Sequence, residues 1–163
     1  MTEIVEDLLQ NKSQIAKHGK RAKDHALECT VERDLAPDAG PVLLQSRDMG
    51  RVVLNLLGNA FYATHINGAA AKPVVCVETS RSADKIYVTI KVTYSGPGIP
   101  DAIRAWIFEP FFTTKPTGDG TGLGLSLSHD IVTKGHGGML AADNAPGGGA
   151  CFTITHPRGI EPV

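Results

Sequence analysis

Two asparagines four residues apart, Asn55 and Asn59, open the chemical reading of this chain. They fall in a stretch from about Arg47 to His65 whose apolar residues, Val53, Leu56, Leu57, Ala60 and Phe61, recur at helical spacing. Beside that apolar stripe runs a polar one made of Asp48, Arg51, Asn55, Asn59 and Tyr62. Asparagine is a poor residue for a helix interior, because its amide competes for backbone hydrogen bonds. Two readings are open. The amides are satisfied by backbone or water, or their oxygens are aimed at a hydrated cation or a phosphate. Mg²⁺ keeps several waters and takes few protein oxygens, so one Asn is chemically sufficient when phosphates supply the rest.

The second stretch is Ile107 to Leu125, IFEPFFTTKPTGDGTGLGL. An aromatic clamp, Phe108-Glu109-Pro110-Phe111-Phe112, gives way to Thr113, Thr114 and Lys115 and closes on Gly120-Thr121-Gly122-Leu123-Gly124-Leu125. Leu127, Ile131 and Val132 then follow at spacings near 3.6. A glycine-rich loop feeding a helix leaves backbone N–H groups unpaired and able to donate to an anion. Lys115 and the two threonine hydroxyls add charge and donors at the same place. No Gly-Lys-Ser or Gly-Lys-Thr ends the run, so it is not a Walker loop. A glycine-rich segment alone is more often plain connection; as a ligand cradle it would act as a lid over phosphates.

The elements that must position these residues follow from periodicity. Residues 2 to 26 have helical composition, with a basic end at His18 to Lys23 that reads as a solvated terminus. Leu27 to Arg33 alternates as a strand, Asp34 to Pro41 is a loop, and Val42-Leu43-Leu44 reads as a short strand. Ser46 is the expected N-cap of the long helix. Asn67 to Lys72 is a turn, and Val74 to Thr79 pairs with Ile86 to Thr93. In the latter strand Ile86, Val88, Ile90 and Val92 face one way, and Tyr87, Thr89, Lys91 and Thr93 the other. That alternation predicts a sheet with one covered face, and its parity puts Tyr94 on the covered side. Ser95-Gly96-Pro97-Gly98-Ile99-Pro100 is a tight turn, and Asp101 to Trp106 a short helix. Gly135 to Gly138 ends the lid helix, and strands Met139 to Asp143 and Ala150 to His156 flank the turn Pro146 to Gly149.

Bulk properties narrow the class. A chain of 163 residues is one domain's length. Glycine, 18 of 163 residues, is about 11% against a norm of about 7%, and most of the excess falls in and after the lid. A net charge of −1 gives no electrostatic case for nucleic acid or an anionic membrane. No run of about 18 apolar residues exists, and the N-terminus has charges where a signal peptide needs an apolar core. Cys29, Cys76 and Cys151 lie far apart in apolar or β-branched settings and read as buried strand residues without metal spacing. A cytoplasmic location is expected.

Three motifs now stand in order: Asn55-Leu-Leu-Gly-Asn59-Ala on a helix, Gly96-Pro97-Gly98-Ile99-Pro100 after a strand, and the lid ending Gly120-Thr-Gly-Leu-Gly124-Leu125. With Phe-Glu-Pro-Phe-Phe-Thr-Thr-Lys at 108 to 115, the chain from about Leu27 to Pro157 resembles the catalytic ATP-binding domain of sensor histidine kinases. These belong to the GHKL superfamily (gyrase, heat-shock chaperone, histidine kinase, MutL), with the Bergerat ATP-binding fold. The resemblance implies an α/β (α+β) two-layer sandwich, a mixed and mostly antiparallel sheet with helices on one face and ATP held between helices and lid. Residues 1–26 resemble the connector after a kinase dimerisation region, and 27–163 the ATPase domain.

Carried over position by position, the resemblance makes Asn59 the Mg²⁺ ligand and Asn55 its phosphate-side neighbour. Tyr62 falls near the phosphates. Gly96 and Gly98 let the backbone approach the nucleotide, with Ile99 and Phe112 beside it. Lys115 and the amides of Gly120, Thr121, Gly122, Leu123, Gly124 and Leu125 hold the β and γ phosphates. The implied partners are a His-bearing dimerisation domain and a response regulator, with the isolated chain a monomer.

Two departures shape the expectation. The family's glycine turn normally follows an Asp that accepts from the adenine amino group, and here that position is Tyr94. The phosphoacceptor motif, His then an acidic residue then Pro, is also missing. His18, His25, His65, His136 and His156 precede Gly, Ala, Ile, Gly and Pro, and His129 precedes Asp130 with no Pro after it. Three functions compete: a phosphotransferase module acting on a His carried elsewhere, a nucleotide-fold pseudokinase that binds and regulates, and an anti-sigma-type Ser/Thr kinase. The Asn pair and the lid are in the histidine kinase style, against the third.

Overall fold

The computed structural model describes residues 1–10, 29–40, 42–65, 73–118 and 120–159. The turn expected at 67–72, the basic segment at 18–23 and the division at 26/27 lie outside the described residues.

A 20-residue helix, Ser46–His65, stands at the centre. With α1 at Thr2–Gln10 before it, this helix is α2. Its apolar stripe, Val52, Val53, Leu56, Leu57, Ala60 and Phe61, is buried. The helix begins at its expected cap, one residue earlier than foreseen. The Gln45 carbonyl accepts from the amides of Asp48 and Met49, so Gln45 takes the cap position and Ser46 lies inside the first turn. On α1, Val5, Leu8 and Leu9 join the same buried cluster.

Five strands form one sheet: β1 Thr30–Leu35, β2 Val74–Arg81, β3 Tyr87–Tyr94, β4 Met139–Asn144 and β5 Ala150–Pro157. Their order is β1-β2-β3-β5-β4. The β1–β2 pair is parallel and the others antiparallel, because α2 carries the chain from β1 back to the start of β2. The sheet is therefore mixed and mostly antiparallel, as expected. Val75 and Val77, Val88, Ile90, Val92 and Tyr94, and Ala150, Phe152 and Ile154 are buried on the helix-covered face. Each such Val, Ile or Phe contributes about 1.5–3 kcal/mol by leaving water.

Several expectations need correction. Strand β1 extends through Asp34 and Leu35, assigned to a loop above, because these pair with Glu78 and Thr79. Val42-Leu43-Leu44 forms no strand: Leu43 is 82% exposed, and its amide makes a lone bond to the Arg158 carbonyl at 3.3 Å. Cys29 is buried but precedes β1; Cys76 and Cys151 are half-buried and face the open side of the sheet, in one row with Thr93. The short helix α3 is Asp101–Arg104, ending before Trp106. The lid helix α4 is Gly124–Asp130 and passes into a π-helical turn, Ile131–Gly135. There Thr133 Oγ1 donates to the His129 carbonyl at 2.7 Å, and the His136 ring meets the Ile131 carbonyl at 2.8 Å. His136 Nε2 also accepts from the Gln45 amide at 3.1 Å, which makes Nδ1–H the donor to Ile131. This ring ties the end of the lid helix to the start of α2.

Candidate functional site

The polar stripe of α2 and the lid meet through side chains. Lys115 Nζ donates to Asn59 Oδ1 at 3.1 Å and lies 4.5 Å from the centre of the Tyr62 ring. One turn earlier, Asn55 Nδ2 donates to Ser128 Oγ at 3.0 Å. Ser128 is 3% exposed on α4, so the pair fixes the lid helix against α2. The sequence reading missed Ser128. Its signal was a hydroxyl four residues before Val132, on the face of the helix that is buried.

The lid folds back on itself. The Phe111 amide donates to the Gly122 carbonyl at 2.8 Å, and both residues have positive φ, 66° and 71°. A side chain at Gly122 would strike the Phe111 backbone, so glycine is required there. At Gly124 a Cβ would come within 2.5 Å of Asn55 Oδ1. The Lys115 amide donates to Thr113 Oγ1 at 3.1 Å, and the Leu123 amide to Thr121 Oγ1 at 3.3 Å. A Cβ on Gly120 would meet Lys115 Cδ at 2.9 Å. Thr121 and Leu123 are exposed, while Phe112 and Leu125 pack partly into the core.

The second half of the site is the glycine turn after β3. Gly96 has φ 135°, and its Cβ would press on the Ala63 carbonyl of α2 at 3.1 Å. Ile99 is buried, and its amide donates to Asn144 Oδ1 at 2.6 Å. Tyr94 is on the covered face, 8% exposed, with its ring stacked on Phe152 at 6.3 Å between centroids. Burial, with a smaller contribution from Cys151, pushes its phenol up to about 12. Cross-strand from Tyr94 stands Ala150, whose small side chain leaves room for the phenol. Tyr94 therefore sits as parity predicted, as a neutral, packed ring. Asn144 was not foreseen; it lay one residue past an expected strand with nothing local to mark it.

One long helix thus presents Asn55, Asn59 and Tyr62 to the lid and Ala63 to the glycine turn. Among the described residues no group of three or more His, Cys, Asp or Glu side chains could hold a metal ion.

Comparison with known proteins agrees with this architecture. Residues 44–160 match the family of histidine kinase-, DNA gyrase B- and HSP90-like ATPases, and the chain belongs to that family. It is similar to the two-component sensor PprA of Pseudomonas aeruginosa, 40% identical over 139 residues, which is 85% of this chain and 15% of that relative. Among solved structures, the mycobacterial sensor histidine kinase MprB superposes with a TM-score of 0.75 at 28% identity, covering 96% of this chain and 95% of that one. Full-length ShkA, in complex with AMPPNP, gives 0.70 at 25% identity, covering 98% of this chain and 31% of that one. The class is therefore the histidine kinase type of ATP-binding domain. The chain spans only a small part of the curated relatives it matches. No helix among the described residues is long and apolar enough to cross a membrane.

Proposed function

We propose that this chain is the ATP-binding catalytic domain of a two-component sensor histidine kinase, passing the ATP γ-phosphate to a His supplied by another domain or chain. The observation that carries the reading is the Lys115 ammonium on Asn59 Oδ1 at 3.1 Å. The amide oxygen already holds a cation, at the position where the family resemblance puts a metal. That stand-in supports a fit for Mg²⁺ on Asn59, completed by phosphate oxygens and water. When bound, Mg²⁺ supplies neutralisation of phosphate charge. Lys115 would then turn to the γ-phosphate, Asn55 would orient the phosphate side, and the amides of Gly120 to Leu125 would donate to β and γ oxygens. Tyr62 would flank the same oxygens. Gly96, Gly98, Ile99 and Phe112 would line the base and ribose side.

The acceptor must come from outside, since no His here carries an acidic residue and a Pro behind it. Residues 1–26 would connect to the dimerisation region that bears it, and a response regulator would receive the phosphate in turn. Trp106, Phe111, Leu123 and Leu127 are exposed on and around the lid, an apolar surface suited to meeting that domain. The implied setting is cytoplasmic.

A second reading, a pseudokinase that binds and regulates, is favoured by one observation. Tyr94 occupies the family's adenine-acceptor position as a buried, neutral ring. Calorimetric titration with ATP, with and without Mg²⁺, separates the two. Metal-dependent binding, followed by transfer of labelled γ-phosphate to a His-bearing dimerisation domain but not to this chain alone, supports the kinase. Binding without transfer, or no binding at all, removes the kinase and supports the pseudokinase.

A further inference from the structure

We infer that Asn144 is a positioning residue for the base side of the nucleotide site, acting through the glycine turn; the inference rests on the ATP-binding reading above. Asn144 is the last residue of β4, 45 residues from the turn it holds. Its carboxamide uses both ends on one residue: Oδ1 accepts from the Ile99 amide at 2.6 Å, and Nδ2 donates to the Ile99 carbonyl at 3.2 Å. This two-point clamp mimics a strand pairing and fixes the Ile99 peptide planes, which no neighbouring strand reaches.

The surroundings are built for the clamp. A Cβ on Gly98 would overlap Asn144 Oδ1 and lie 2.9 Å from its Cγ, so glycine at 98 makes space for the carboxamide. Gly98 does not have a positive φ, so an alanine there is opposed chiefly by Asn144, and less closely by the Gly149 carbonyl at 3.2 Å, and not by its own dihedral. The β4–β5 turn that follows is closed by the Ala145 amide on the Gly149 carbonyl at 3.0 Å and the Gly148 amide on the Ala145 carbonyl at 3.1 Å. Gly149, at φ 90°, presses so closely on the Tyr94 carbonyl that no side chain fits between them. Asp143 extends the hold to α3, lying 3.7 Å from Arg104, which also pairs with Asp101 at 3.2 Å. The turn and α3 are thus docked onto the end of one hairpin, with Asn144 as the part that touches the turn backbone.

Removing the clamp leaves the phosphate half of the site intact, since Asn59, Lys115 and Gly124 make none of these contacts. The split gives the test. Wild type and Asn144→Ala are titrated with Mg²⁺-ATP and with Mg²⁺-tripolyphosphate, which has the phosphate chain and no base. Asn144→Ala weakens ATP by about tenfold and leaves tripolyphosphate unchanged, while the Ile99 amide exchanges faster with solvent. Gly98→Ala gives the same loss by pushing the carboxamide aside, and it adds little in the Asn144→Ala background, because both act on one contact. If Asn144→Ala does not fold, Asn144→Asp is read the same way; it keeps the acceptor and loses the donor. Equal loss of both ligands, or of neither, overturns the role of Asn144, as does simple additivity with Gly98→Ala. Wild type that binds neither ligand overturns the nucleotide reading itself, and the inference with it.

Discussion

Lys115 and Asn59 are joined across 56 residues of sequence by a bond of 3.1 Å from ammonium to amide oxygen. The Tyr62 ring, one turn further along α2, backs the same ammonium at 4.5 Å. Mg²⁺ and an ammonium compete for one amide oxygen, because a divalent and a single positive charge a few ångströms apart repel by about 2 kcal/mol even in water and more in a partly dry site. On the proposed assignment of Asn59 to Mg²⁺, binding of Mg²⁺-ATP would require Lys115 to leave Asn59, and the incoming phosphates would offer it a stronger acceptor.

Asn59→Ala should accordingly remove the metal dependence of nucleotide binding while leaving the fold intact. The side chain is half-buried on the polar stripe, apart from the packed face of α2. Loss of a charge-assisted contact corresponds to about 1.5–3 kcal/mol, or about 10- to 150-fold in Kd. Titrations with Mg²⁺ and with EDTA check this. A large drop in melting temperature without a change in Kd would make Asn59 a structural residue instead.

Gly124→Ala tests the other asparagine. The new methyl group would meet the far end of the Asn55 side chain, at 2.5 Å from Oδ1 and 2.9 Å from Nδ2. That end can rotate away, at the cost of its bond to Ser128. The stability loss should be about 0.5–1.5 kcal/mol, one neutral hydrogen bond. Affinity for ATP should fall further than that, because Asn55 no longer faces the phosphates. Denaturant melts set beside titrations give both quantities, and unchanged affinity would remove Asn55 from the phosphate side.

His156 predicts a pH dependence. It is 2% exposed, and neither ring nitrogen has a hydrogen-bond partner among the described residues. Burial lowers its pKa from 6.5; the His136 ring, 5.5 Å away between centroids, and the chain's amino group add to this, while backbone at Pro157 offsets part of it. The folded state thus binds this proton less readily than the unfolded chain. Its share of stability is fully present above pH 6.5 and is lost as pH falls below that value toward the lowered pKa. Melting temperature should drop between pH 7 and pH 5, and His156→Leu should flatten that slope. An equal slope in both proteins would assign the acid sensitivity to other groups.

How much of this was legible in the sequence differs by range. Helix α2 and the alternation of β3 follow from residues next to one another, so periodicity found them, except that Ile86, expected to begin the covered row, precedes the strand and is exposed; parity carried Tyr94 to the covered face. The extent of β1 depends on its register with β2, more than 40 residues later, and no local pattern contains that. Val42-Leu43-Leu44 has strand composition but pairs with no strand among the described residues. Cys76 and Cys151 have strand settings that say nothing of which face is covered. Ser128 and Asn144 act only through partners 73 and 45 residues away. Motifs marked the glycines of the site; what each glycine makes room for needed the third dimension.

Tyr94→Asp is the sharpest test of the base side. In the present structure the phenol is packed between Phe152 and the small Ala150 position, buried and neutral. Replacing it with aspartate removes apolar burial of about 1.5–3 kcal/mol and leaves a carboxylate facing the core, so the unliganded protein should melt lower. With ATP present the same carboxylate meets the adenine amino group, a charged hydrogen bond of about 1.5–3 kcal/mol. The variant should therefore bind Mg²⁺-ATP about 10- to 150-fold more tightly and prefer it over GTP, whose base carries a carbonyl at that place. Ligand should also raise its melting temperature by more than in wild type, since stabilisation grows with the ratio of free ligand to Kd. Lower melting with unchanged or weaker ATP binding would mean that Tyr94 is a core residue apart from the base, and that the glycine turn has been aligned to the wrong side of the site.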